Sequence, residues 1–345
     1  MLESFGWSAR VNQLAVSTNT PIASVARVTR IDRGVYTIMT CDGSIAASLS
    51  GELKELRNPV DRPTIGDWVT FSQEGVVQTV LPRWSVFVRG DSDKLQAQAV
   101  AANVDTVFVV HALDVAVNLR RLERELVLAF QSGARPVVVL SKADQCGDID
   151  RELARTKTCA PGCDVIVTSA ETSEGIDALL EVGRDGATLA FIGASGVGKS
   201  TLINALLGSE VQLTGAIREF DGKGRHTTSA RSLFALRDGA VLIDTPGLRS
   251  VGMWRSDEGL ALAFSDIEDL AVGCRFSNCT HDHEPSCAVQ AAVAVGLIDV
   301  DRVANLQLLQ RELDDLDDEA EARQRVVKQQ QRSPSRVARS APKGL

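Results

Sequence analysis

Gly193, Ala194, Ser195, Gly196, Val197, Gly198, Lys199 and Ser200 spell G-x-x-x-x-G-K-S, and the run follows an apolar stretch over 188–192 and leads into a helical one opening at Thr201. A strand, a glycine-rich loop and a helix N-terminus in that order make a phosphate cradle. Glycines let backbone NH groups curl around a β-phosphate, Lys199 reaches the β and γ oxygens, and the Ser200 hydroxyl is placed to ligate magnesium, all at the positive end of a helix dipole. A chance glycine-rich turn rarely brings the Lys-Ser pair and both flanking elements together.

A phosphate loop does not separate ATP from GTP, so the base must be read elsewhere. Ser141, Lys142, Ala143 and Asp144 close an apolar stretch over 136–140 and resemble the guanine-specificity motif Asn-Lys-x-Asp. A carboxylate there accepts from the guanine ring NH and exocyclic amine, a donor pair that adenine lacks, while the Lys142 stem packs on the base face. Thr168, Ser169 and Ala170 end another such stretch and resemble the second base-contacting loop, whose backbone NH meets the guanine carbonyl. Asp144 and Ala170 together disfavour an ATPase. Serine at 141 is shorter than asparagine and lacks its amide donor, so weaker nucleotide binding is expected, with the guanine preference kept by Asp144. The third piece follows the loop: an apolar stretch over 240–243 delivers Asp244 to the magnesium shell, and Gly247 offers a backbone NH where a γ-phosphate would sit.

A second kind of chemistry lies beyond. Cys274, Cys279, His281 and Cys287 supply three thiolates and an imidazole, the ligand count and type of a closed tetrahedral zinc site. Four such ligands leave no open position for water, so the zinc is expected to be structural; a reduced, metal-free cluster is the alternative. His283 is the spare, expected at the surface. The remaining cysteines, Cys41, Cys146, Cys159 and Cys163, are scattered without a framework, which argues for reduced thiols.

These groups need elements to hold them. A chain of 345 residues implies two or three domains. Short β-type runs over 23–31, 35–40, 45–49, 68–71 and 76–81, with an Asp42-Gly43 hairpin signal, fit a small barrel of the oligonucleotide-binding type, with or without a ligand. Beyond Asn103 strand-like and helix-like segments alternate, arguing for a parallel sheet covered on both faces. After Gly247 the pattern is helical, over 260–272 and 289–309, and from Arg323 onward it reads as a disordered polar tail. The expected domains are therefore 1–21, an extension matching nothing; 22–100, the barrel; 101–256, the α/β domain; 257–320, a zinc-binding helical domain; and 321–345, a basic tail. No stretch approaches the roughly 18 apolar residues of a membrane helix, and Met1 to Arg10 lacks a basic flank followed by an apolar core, so the cytoplasm is the expected default.

Charge is uneven. The formal net charge is -8, yet residues 266–320 carry thirteen acids against three bases, whereas 321–345 carry one acid and seven bases. Broad nucleic-acid binding is disfavoured by the average, but Arg27, Arg30, Arg33, Lys54, Arg57 and Arg62 in the barrel and the basic tail are candidate phosphate contacts, or else a solvated charged face.

The motifs stand in an unusual order, base-reading elements first, phosphate loop second, Asp-Thr-Pro-Gly third. With Ala101-Ala-Asn-Val-Asp105 ahead of the first core strand, Gly222-Lys-Gly-Arg-His226-Thr227-Thr228 ahead of Asp244, and Phe276, Glu284 and Pro285 within the cysteine cluster, the chain resembles the circularly permuted, ribosome small-subunit-dependent GTPase family over about residues 22–310. The resemblance implies a permuted GTPase domain between the barrel and a helical zinc domain. It implies GTP hydrolysis with magnesium, stimulated by the small ribosomal subunit, in late assembly checking of that subunit. A nucleotide-gated RNA- or ribosome-binding scaffold with incidental turnover is the alternative. It assigns 222–228 to the first switch, with Thr227 or Thr228 on magnesium and the γ-phosphate and Lys199 and Thr228 in catalysis. Leu248 occupies the position of the water-orienting glutamine of Ras-like enzymes, and leucine cannot hydrogen-bond a water. His226 is the candidate for the missing polar group, against an ordinary loop histidine. The expected partners are GTP or GDP, rRNA and possibly a ribosomal protein, with a monomeric chain and no membrane.

Overall fold

Strand β1 (Val25–Asp32) is buried on both faces along its first five residues, and the alternation of its side chains explains why. Ala26 and Val28 point into a barrel core with Ile38, Ala47, Leu53, Val69 and Val77. Val25, on the other face, packs with Leu2, Val11, Ala15, Met39, Trp68 and Leu81. Successive strand side chains alternate faces, so one strand serves two cores. The computed structural model of the chain describes residues 1–90, 97–208, 231–236, 239–244, 248 and 257–332.

The barrel is built from β1, β2 (Val35–Met39), β3 (Ser44–Leu49), β4 (Trp68–Phe71) and β5 (Val76–Val80), with helix α1 (Ala9–Ser17) before them and α2 (Gly51–Glu55) between β3 and β4. Strand order β1-β2-β3-β5-β4 closes through a β1–β4 pairing, and only β3–β5 is parallel. All five expected strands are present. The first 21 residues, silent in the sequence, form the outer wall: Val11 and Ala15 of α1 are fully buried, and Trp7 meets Trp68 edge-on at 5.4 Å between ring centroids.

Arg27 corrects an expectation. It is not a surface phosphate contact but fully buried, donating to Phe5 O at 2.5 Å, Gly66 O at 3.3 Å and Thr188 Oγ1 at 2.7 Å. Burial lowers its pKa to about 10. It faces the N-terminal wall because it shares the odd-numbered face of β1 with Val25.

Between barrel and core runs a two-stranded ribbon, β6 (Val86–Gly90) with β7 (Ala97–Ala102), which the sequence pattern had not shown. The core then alternates β8 (Thr106–Ala112), α3 (Leu119–Gln131), β9 (Arg135–Ser141), α4 (Ile149–Cys159), β10 (Asp164–Val167), α5 (Ile176–Val182), β11 (Thr188–Gly193) and α6 (Lys199–Leu207), followed by β12 (Arg231–Ala235) and β13 (Val241–Asp244). Sheet order is β10-β9-β8-β11-β13-β12, parallel except for β12. Its central strands are buried on both faces, as a parallel sheet between helices demands. Val107 and Val109 pack with Leu122 and Leu126 of α3, whereas Phe108 and Val110 pack with Leu179 of α5 and Leu202 of α6. Strand β12 also pairs with β1, Arg30 opposite Ser232 and Ile31 opposite Arg231, so core and barrel share one continuous sheet.

Among the described residues, four helices follow the sheet: α7 (Asp257–Ala263), α8 (Ser265–Ala271), α9 (Ala288–Ala294) and α10 (Val300–Arg332). Each of the two expected helical segments is thus divided, and α10 continues through Arg332, where a disordered tail was expected to have begun. No described helix is long and apolar enough to cross a membrane. Arg302 of α10 joins this region to the core. Only 2% exposed, it reaches Glu123 of α3 at 2.7 Å and Asp266 of α8 at 2.7 Å, donates to Cys159 O and Ala263 O at 3.0 Å each, and lies over the Phe264 ring at 4.7 Å.

Candidate functional site

The carboxyl ends of β9, β10, β11 and β13 converge on one edge of the sheet, where ligands collect in open α/β folds. The phosphate loop leaves β11 at Gly193, whose φ of 137° and closeness to β8 exclude any side chain: a Cβ there would meet Val110 O at 2.4 Å. The loop enters α6 at Gly198, with φ 90°. Ala194, Ser195, Gly196 and Val197 lie between, and Lys199 is the first helical residue, followed by Ser200 and Thr201. The Lys199 ammonium donates to Gly193 O at 2.8 Å and to Ala194 O, which brings its charge back over the loop.

Ser141, at the end of β9, is 2% exposed. Its hydroxyl donates to Val197 O of the phosphate loop at 2.6 Å, and His111 O lies 3.3 Å from it. Position 141 is therefore tied to the loop, which its sequence reading as a shortened base contact had not anticipated. Lys142 sits in the left-handed region with φ 58°, and its ammonium meets Asp114, just after β8, at 2.6 Å. Asp114 carries no motif; its only signal was its place beyond a strand's carboxyl end. Buried Ala143 donates its NH to Thr168 O at 3.1 Å, joining the two base loops.

Asp144 projects from the surface. The Ser169 hydroxyl donates to its Oδ1 at 2.5 Å, and the Thr172 NH donates to Ser169 Oγ at 3.2 Å. That hydrogen bond from Ser169 holds the Asp144 carboxyl below its ordinary value. An ionised carboxylate is acceptor-only, with lone pairs remaining for two more donors. Ala170 follows at the same rim, packed against the α5–α6 side of the sheet.

Asp244 ends β13, which runs parallel to β11, and so reaches the same edge as Ser200. An oxygen-donor pair of hydroxyl and carboxylate suits a hard divalent cation such as magnesium. His226, Thr227, Thr228 and Gly247 lie outside the described residues. Leu248 is 4% exposed and buried in apolar surroundings. It borders a cavity of about 500 Å³ with Gly193, Arg121 and Glu125 of α3, and Asn305 and Leu309 of α10. A cavity of similar volume, about 520 Å³, opens at the opposite edge of the sheet, near Trp84, Gly133 and Cys163, and touches none of the motifs.

The ligand atoms of Cys274, Cys279, His281 and Cys287 lie within 4.8 Å of one another. Cys274 Sγ is 3.8 Å from Cys287 Sγ and 3.7 Å from His281 Nδ1. A tetrahedron about zinc with Zn–S bonds of about 2.3 Å has edges of about 3.8 Å, so the cluster fits that ion. Second-layer bonds set the loop: Gln290 Nε2 donates to His281 O at 2.5 Å and Gln307 Nε2 to the same oxygen at 3.2 Å. Glu284 accepts from the Thr280 hydroxyl at 2.6 Å and from the Thr280 and Asp282 NH groups, bonds that hold its carboxyl at about 2. His283 is at the surface, beside Asp282.

Comparison with known proteins agrees with this arrangement. The family described as RsgA GTPase matches residues 80–254, and one described as 50S ribosome-binding GTPase matches 188–329. The chain is 42% identical over 294 residues to small ribosomal subunit biogenesis GTPase RsgA 2 of Lactiplantibacillus plantarum, covering 84% of this chain and 83% of that protein. It is 43% identical over 318 residues to small ribosomal subunit biogenesis GTPase RsgA of Streptomyces avermitilis, covering 90% and 85%. Among solved structures, YjeQ from Thermotoga maritima superposes with a TM-score of 0.65 at 27% identity, covering 84% of this chain and 98% of that one. YloQ, a circularly permuted GTPase, superposes at 0.59 over 84% and 95%; at 24% identity it bears on the fold alone.

Proposed function

The chain belongs to the RsgA GTPase family, and on that premise we propose that it hydrolyses GTP to GDP and phosphate during late maturation of the small ribosomal subunit. The observation that carries this reading is the hydrogen bond from Ser141 to Val197 O, which ties a guanine-type loop directly to a phosphate loop although the two are far apart in sequence. Relatives named for the small subunit span the barrel, core and helical region. That span favours the small subunit over the large one named by the shorter match.

In this reading Asp144 accepts from the guanine donors, the Ala170 NH meets the base carbonyl while the Ser169 NH is held by Glu174 O at 3.0 Å, and Lys142 lays its stem against the ring. The phosphate-loop NH groups and Lys199 neutralise the β and γ phosphates at the N-terminus of α6. Ser200 and Asp244, with Thr227 or Thr228, hold magnesium, which when bound neutralises charge on the transferred phosphoryl group. Buried, apolar Leu248 orients no water, so unassisted hydrolysis is slow and the polar group comes from His226 or from the partner.

The cysteine cluster holds one structural zinc. Arg30, Arg33, Lys54, Arg57 and Arg62 of the barrel, with the basic C-terminal residues, contact rRNA phosphates, and the chain acts as a monomer in the cytoplasm. The test is steady-state GTP turnover with and without purified small subunits at two salt concentrations. Stimulation of about a hundredfold or more, weakening with salt, is expected. Unchanged turnover on subunits that nevertheless bind the GTP form would favour a nucleotide-gated scaffold instead.

A further inference from the structure

Guanine offers two different edges to a protein. N1–H and the exocyclic amine are donors, whereas O6 and N7 are acceptors. Each side-chain donor of the two base loops has a partner within the protein, the Thr168 hydroxyl included, which lies 3.4 Å from Leu140 O. A hydroxyl has one hydrogen to give. Ser141 gives its hydrogen to Val197 O at 2.6 Å, and the nearest alternative acceptor, His111 O at 3.3 Å, is also backbone. Ser169, receiving the Thr172 NH at 3.2 Å, gives its own to Asp144 at 2.5 Å. The Lys142 ammonium has three hydrogens and is drawn to Asp114 at 2.6 Å, an ion pair that fixes the head group beside β8 and leaves the stem for the base. Ser141 is moreover 2% exposed, behind the phosphate loop.

We propose that the side chains of this site read guanine through its donor edge alone, by Asp144, while O6 is met by the backbone NH of Ala170 and N7 is left unread. Ser141 is then a positioning residue that joins the base loop to the phosphate loop. An asparagine has two amide hydrogens and a longer reach, enough to serve the loop and the base together; serine has one hydrogen and uses it on the loop. This specificity rests on the guanosine reading of the site.

The test is equilibrium binding of GDP, 7-deaza-GDP, IDP and ADP to the full chain and to Ser141→Ala and Ser141→Thr. 7-Deaza-GDP, which has a CH in place of N7, is expected to bind less than about threefold more weakly than GDP, since no hydrogen bond is lost. IDP, which lacks the amine, is expected to bind about tenfold or more weakly. Ser141→Ala should weaken GDP and 7-deaza-GDP by the same factor, and Ser141→Thr, which keeps the hydroxyl, should restore both. A loss of about threefold or more for 7-deaza-GDP, or a ratio to GDP that changes in Ser141→Ala, would overturn the proposal. Equal binding of GDP and ADP would fail earlier, at the guanosine reading itself.

Discussion

The Ser169 hydroxyl and the Asp144 carboxylate, on loops that end adjacent parallel strands, are 2.5 Å apart. Their bond fixes the orientation of an exposed acid that would otherwise sample several rotamers. It also favours the ionised form of that acid, the form the proposed reading needs for a guanine donor pair.

Replacing the acid tests its role most simply. Asp144→Asn puts an amide nitrogen where one acceptor oxygen stood, opposing a guanine donor. Charge-assisted hydrogen bonds contribute about 1.5–3 kcal/mol, so GDP affinity should fall about 10- to 100-fold, with ADP affinity unchanged. Isothermal titration of both nucleotides on one protein preparation checks this, and a parallel fall in both would point to misfolding of the loop.

The pH dependence follows from the same bond. In the proposed reading binding requires the ionised carboxylate, and Ser169 holds Asp144 below its ordinary value of 3.8. GDP binding should therefore persist as pH falls through 3.8 and weaken only below it. In Ser169→Ala the acid limb moves upward, toward the ordinary value. GDP titrations between about pH 6 and pH 3.5, with circular dichroism confirming the fold at each point, should separate the two proteins at the acid end. Superimposable limbs would remove Ser169 from this role.

Metal removal tests the cysteine cluster. One zinc per chain should be released by a thiol-mercurating reagent and counted with a chromogenic chelator. Helical signal should fall as it leaves, because the loop from Cys274 to Cys287 is set by its ligands and has little apolar content of its own. Cys279→Ser should bind zinc more weakly and melt earlier. A zinc-free protein with the same melting curve would contradict a structural ion.

Arg302 tests the joint between the helical region and the core. In Arg302→Met the buried Glu123 loses its cation, and burial already pushes that carboxyl above its ordinary range. Breaking one side of a buried pair costs about 3–5 kcal/mol. Urea denaturation should show that loss, partly recovered when Glu123→Gln is added to the same chain. A loss under about 1 kcal/mol would mean that water reaches the pair.

The chemistry was more legible in the sequence than the joints between its parts. The phosphate loop, the base loops and the cysteine cluster each combine several residue types at fixed spacing, and such local constraints survive any rearrangement of chain order. Strands β1 to β5 were legible from their alternation and turns. Strand β12 was not, because one of its two partners, β1, lies about 200 residues earlier in the chain, Ile31 standing opposite Arg231. The N-terminal wall was hidden for a similar reason: Leu2, Trp7 and Val11 share a core with Val25, Met39, Trp68 and Leu81, residues distant in sequence. Arg27 looked like a surface charge since nothing local shows that its face of β1 is covered. Ser141 looked like a weakened base contact, whereas its partner, Val197, lies 56 residues downstream.

Equilibrium dialysis of labelled GDP counts the pocket directly. One GDP per chain is expected, displaced by GTP and not by an equal concentration of ATP, and weakened both by Lys199→Ala on the phosphate loop and by Asp144→Asn on the base loop. Two GDP per chain, displacement by ATP as effective as by GTP, or full affinity retained in either variant would contradict a single guanosine pocket shared by the two loops.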